Sequence, residues 1–91
     1  MQIIYYLGYI LSERIGISEA ASRGLIKLAI KDQFGPFKKM EMLGVRDFQN
    51  FIRNSLKRRL QNLNINNYEE IIELLLNEVL KNQSIITMEK I

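Results

Sequence analysis

The sequence predicts an all-α fold, a compact bundle of about four helices with a C-terminal tail. Three observations point to it. Four stretches repeat apolar residues at steps of three and four, the spacing of one helix face. In 91 residues there are only five Gly and one Pro, which leaves room for long regular elements and few turns. Composition, at 47% hydrophobic and 25% charged, is that of an ordinary globular chain, with no repeat or low-complexity segment to divide it. One helical domain over residues 1–91 is therefore expected. At this length folding buries only about 60–65% of the unfolded surface, so a partner that adds buried area would matter to stability.

The first helix aligns Ile3, Leu7, Ile10, Leu11 and Arg14, with Ile4 beside them, and Gly16 is placed to end it as a left-handed residue. Tyr5, Tyr6 and Tyr9 flank that stripe and leave the helix apolar or aromatic around most of its circumference. Such a helix is buried on several sides, so here the sequence predicts cover from outside the chain. Ser18 is the expected N-cap of the second helix, with Ile17 as an apolar staple and Glu19 at the positive end of the dipole. Ala21, Leu25, Leu28 and Ala29 form its predicted core stripe, widened by Ile26 and Ile30. Gly35-Pro36 stops it, giving a helix over about 18–33.

Residues 34–44 hold Phe34, Phe37, Met40, Met42 and Leu43, too apolar to be left in water. They either cap the open end of the bundle or form a binding surface that soft Met side chains can repack. The third helix runs through Val45, Phe48, Ile52, Leu56, Leu60 and Leu63 and carries Arg46, Arg53, Lys57, Arg58 and Arg59 on its other face. After the turn Asn64-Ile65-Asn66-Asn67, Asn67 is expected to cap the fourth helix with Glu70 completing a capping box. Ile71, Ile72, Leu75, Leu76, Val79 and Leu80 give that helix a broad apolar face, with Leu74 outside it. Residues 83–91 continue the helix, form a short strand, or dock as an arm.

The chain has no Cys and no His, which removes thiol nucleophiles, disulfides, Cys/His zinc sites and imidazole bases. Glu69, Glu70 and Glu73 cluster within one turn, but they sit where a helix dipole favours negative charge. Ser18 and Ser22 lack the Ser-x-x-Lys spacing of a nucleophile pair, and the glycines are too scattered for a phosphate loop. No enzyme, cofactor or metal is expected. The opening residues carry neither a positive n-region nor a cleavage pattern, and no apolar run approaches the roughly 20 residues that span a bilayer. A cytoplasmic protein without membrane attachment is the expectation.

Two surfaces are candidates for binding. Residues 1–62 hold eleven Lys/Arg against five Asp/Glu, whereas residues 63–91 hold two Lys against five Glu. Arg53, Lys57, Arg58 and Arg59 form the densest basic cluster, able to contact phosphates, while Asn50 and Asn54 could reach base edges. The same basic face could instead stay solvated or pair with the Glu-rich fourth helix. Ala20-x-x-x-Gly24 followed by Ile30 has helix-turn-helix spacing, although Glu19 and Arg23 occupy slots that such motifs fill with apolar residues. The second surface is aromatic. Tyr5, Tyr6 and Tyr9, with Leu74, Ile85 and Ile86, exceed what a four-helix core can bury. Tyr is favoured at interfaces, so pairing with a second copy is predicted through the first and fourth helices, with Tyr5, Tyr6, Tyr9, Leu74 and Val79 at the interface. A small apolar ligand within the core would lack converging polar groups to orient it.

The run from Tyr6-Leu7-Gly8-Tyr9 through Gly16-Ile17-Ser18-Glu19-Ala20-Ala21-Ser22-Arg23-Gly24 to Asp32 resembles the small all-helical output domains of archaeal signalling and transcription proteins, the Nitrosopumilus-type output group. The likeness covers the first third of the chain and part of the Phe48–Leu63 pattern. It implies a non-catalytic module that relays or receives a signal by contact with another protein. The functional expectation is thus a homodimerising regulatory or signalling adaptor. The alternative is a small DNA-binding regulator that uses the basic third helix.

Overall fold

A computed structural model describes residues 2–89, so Met1 of the apolar opening and the last two residues of the predicted tail lie outside it. The architecture is all-α, with no strand among the described residues. Helix α1 (Gln2–Ile15) ends at Gly16, whose positive φ of 72° lets its N–H donate to the Ser12 carbonyl at 3.0 Å. Helix α2 (Glu19–Phe34) starts under the expected cap, the Ala21 N–H donating to Ser18 Oγ at 3.1 Å. It stops where Gly35, at φ 85°, donates back to the Lys31 carbonyl.

The Phe34–Gly44 connection contains one short 3-10 turn (Met40–Met42) and splits its apolar residues. Leu43 is fully buried and Met40 packs on the core, so they close the end of the bundle. Phe37, by contrast, is 94% exposed. The predicted third helix is a continuous rod over residues 45–62, built from α3 (Val45–Phe51), a π-helical turn (Ile52–Leu56) and α4 (Lys57–Asn62). The π turn follows from the spacing of the buried residues. Phe48, Ile52, Leu56 and Leu60 advance by four each time, and all are fully buried. On a 3.6-residue helix each such step over-rotates by about 40°. A wider turn in the middle removes part of that drift and keeps the stripe aimed at the core. The rod ends in a Schellman cap: Asn64 takes φ 60° and donates to Gln61, while Ile65 donates to the Leu60 carbonyl.

Helix α5 (Tyr68–Lys81) begins after Asn67, but Asn67 makes no side-chain capping bond, contrary to the expected capping box. Only its carbonyl is used, accepting from the Ile71 N–H. The tail turns at Asn82 into α6 (Gln83–Glu89), which packs on α1 and α3 and buries Ile86. The tail is thus docked and helical.

Two predicted stripes are corrected. The core face of α2 is Ser22, Ile26, Ala29 and Ile30, whereas Ala21 and Leu28 are exposed. Ser22, Ile26, Ala29 and Ile30 lie on one stripe at steps of three and four, so the orientation that buries both isoleucines turns Ala21 and Leu28 outward. The α1–α2 contact is close at Gly8, where an added Cβ would lie 2.7 Å from Arg23 Cγ. Leu63 is 53% exposed and lies beyond the stripe of its rod.

Ser22 Oγ is buried and has no hydrogen-bond partner among the described residues. An unsatisfied buried hydroxyl costs about 1–3 kcal/mol, and Ala has the higher helix propensity. Ser22→Ala should therefore raise stability by about 1 kcal/mol in urea unfolding. A destabilised variant would mean that the hydroxyl has a partner.

Candidate functional site

Helix α1 turns its apolar stripe inward and its tyrosines outward. Ile3, Ile4, Leu7 and Leu11 are buried, while Tyr5, Tyr6 and Tyr9 are 59%, 43% and 48% exposed. Two of the three are fastened to neighbouring helices. The Arg23 guanidinium of α2 lies 4.4 Å from the centroid of the Tyr5 ring. On the opposite edge the Tyr6 hydroxyl donates to Glu78 Oε1 of α5 at 2.6 Å. Tyr9 stands on the same face between them. Leu74, one turn before Glu78 on α5, is half-buried and lines a notch with Arg14 and Ile71. Val79 is fully buried in the core, so it leaves the predicted interface. It points away from the Leu74–Glu78 side because one residue past Glu78 is about 100° around the helix. Ile86 leaves the surface for the same core.

The Tyr6–Glu78 bond shifts both groups. It holds the Glu78 carboxyl below its ordinary range, helped by Lys81, and pushes the Tyr6 phenol up, chiefly through the same hydrogen bond. Glu78, depressed in the folded state, contributes stability above its unfolded pKa that is lost as pH falls through the folded one. Tyr6, raised, contributes stability below its unfolded pKa that is lost as pH rises through the folded one. The bond is therefore whole at neutral pH and fails at both extremes. Tyr6→Phe should lower the melting temperature at pH 7, and the gap from wild type should close in strong acid. A gap independent of pH would show that the bond contributes nothing.

The basic rod is arranged differently from its prediction. Arg59 is spoken for: its Nε and terminal nitrogen grip the two Asp32 oxygens of α2 at 2.6 and 3.0 Å. This bidentate pair holds the Asp32 carboxyl below its ordinary range. Lys57 is half-buried, its ammonium 6.0 Å from the Tyr68 ring and in one notch with Glu69 and Glu73. Arg53 and Arg58 are exposed and, among the described residues, make no ion pair. Asn50 and Asn54, expected toward base edges, are exposed on the same rod, as is Arg46, to which the predicted contact set gave no place. Beneath it, buried Ser55 donates to Gln33 Oε1 at 2.8 Å and ties the π turn to α2. No turn interrupts α2 at Gly24, so the helix-turn-helix spacing there has no structural counterpart.

Among the described residues no group of three or more acidic side chains is placed to hold a metal ion. No described helix is long and apolar enough to cross a membrane. An open polar notch of about 570 Å³ lies over the Asn64–Asn67 turn, bounded by Gln61 and Glu70. Neither a protein-family model, nor a curated protein, nor a solved structure matches the chain.

Proposed function

We propose that the protein is a non-enzymatic interaction module of the cytoplasm, a small regulatory or signalling adaptor that pairs with a second copy of itself through the outer face of α1. The observation that carries this reading is the outward set of Tyr5, Tyr6 and Tyr9 on a helix whose other face is core. Tyr gives large contact area with few rotatable bonds and a hydroxyl that can stay hydrogen-bonded. Arg23 and Glu78 hold the Tyr5 and Tyr6 rings in place beforehand, which lowers the ordering entropy of association. The two edges of the strip also differ in sign, Arg23 on the α2 side and Glu78 on the α5 side. A two-fold axis parallel to α1 brings the Arg23 edge of one protomer against the Glu78 edge of the other. Such isologous pairing is the commonest form of oligomer.

Light scattering over a hundredfold dilution tests this reading. The expected mass is twice 10.7 kDa, falling to that of a monomer in Tyr9→Glu while its circular dichroism stays helical. A wild-type monomer at every concentration would overturn the pairing.

A further inference from the structure

The rod over residues 45–62 shows solvent a face of unusual composition. Every exposed position between 46 and 62 is an arginine (Arg46, Arg53, Arg58) or a side-chain amide, Asn50 and Asn54 among them. None is acidic and none is apolar. Arg46, Asn50, Asn54 and Arg58 advance by four residues per step, as the buried Phe48–Leu60 series does. The π turn that keeps the buried series aimed inward thus keeps this outer series from spiralling off its face.

The nearby carboxylates leave the face positive. Asp32 is held by Arg59, and Asp47 accepts from the Gly44 N–H at 2.9 Å. Glu69 and Glu73 lie with Lys57 on the α5 side, which removes Lys57 from the face. Guanidinium groups interleaved with amides match a duplex: arginine takes phosphates or the guanine edge, and asparagine takes the adenine edge. A helix about 10–12 Å across also fits the B-form major groove, about 12 Å wide. Other partners fit worse. An interfacial membrane helix needs bulky apolar residues beside its cations, and a protein interface needs an apolar or aromatic centre.

We infer that this face binds duplex DNA, with Arg46, Arg53 and Arg58 on phosphates and Asn50 and Asn54 toward base edges. This inference does not depend on how α1 pairs. Its test is fluorescence anisotropy of the full chain with labelled B-form duplexes of about 20 base pairs. With about 0.9 counterions released per phosphate contact, three contacts give roughly a forty-fold loss of affinity between about 50 and 200 mM salt. The double variant Arg53→Gln, Arg58→Gln should retain only about a four-fold loss over that range. The double variant Asn50→Ala, Asn54→Ala should keep the salt dependence and flatten the ranking of a panel of duplex sequences. All four positions are exposed, and unchanged circular dichroism will show that the variants are folded. Three results would overturn the inference: no binding by wild type at 50 mM salt, an unchanged salt slope in the arginine variant, or equal affinity for phosphatidylserine vesicles. An unchanged sequence ranking in the asparagine variant would overturn the base-reading role.

Discussion

Gly8→Leu should lower the urea midpoint by roughly 2 M. Gly8 is buried where α1 meets α2, and even a methyl there would fall 2.7 Å from Arg23 Cγ, 3.5 Å from its backbone nitrogen and 3.7 Å from its Cα. Arg23 can swing aside for a methyl, and Ala gains about 1 kcal/mol of helix propensity over Gly. Gly8→Ala should therefore be close to neutral. A leucine cannot be cleared that way, because the atoms behind Arg23 Cγ are backbone. Overpacking of this kind costs about 1–3 kcal/mol. The displaced guanidinium also leaves the Tyr5 ring, at a further cost of about 0.5–1 kcal/mol. Against a total near 5–13 kcal/mol for a chain of this length, and a urea slope of about 1–2 kcal/mol per molar, the midpoint shift follows. An unchanged midpoint would mean that the α1–α2 contact is loose enough to repack.

A still larger loss is expected from Phe51→Ala. Phe51 and Phe48 are both fully buried, their ring centroids 5.1 Å apart at a tilt of 52°. Phe51 sits at the junction of α3 and the π turn, where the rod meets α2 and α5. Truncation of a buried phenylalanine costs about 3–5 kcal/mol through lost transfer energy and the cavity left behind. That is a large share of the whole, so the variant should be substantially unfolded by physiological temperature. Calorimetry would measure this directly. A melting temperature within a few degrees of wild type would show that the core collapses to fill the gap.

Prediction from sequence succeeded where the determinants are local. Ser18, Gly16 and Gly35 act on backbone groups within four residues of themselves, so the ends of α1 and α2 could be placed without tertiary information. Asn67 is the exception, a residue of capping type whose side chain makes no cap. The aromatic strip was also legible, because three tyrosines opposite an apolar stripe cannot all enter one core. Val79 was misplaced because α5 carries apolar residues around so much of its circumference that either flank could be read as surplus. The arginine and amide face was half legible. Its charge stood out in the sequence, but which cations are free did not, since the Arg59–Asp32 pair joins residues 27 apart.

The sequence by itself determined that the chain is helical, where most helices begin and end, and that α1 has an aromatic side. Hydrophobic period and capping chemistry act within a turn or two, and those terms are written in neighbouring residues. The tertiary structure alone decided which of two apolar stripes of α2 faces the core, that the third helix contains a π turn, and that Arg59 is neutralised. Each of these depends on how closely two distant segments approach. The orientation of α2 that buries Ile26 and Ile30 takes Ser22 in and turns Leu28 out, and Phe48, Ile52, Leu56 and Leu60 are held in one line only because there is a single core for them to face.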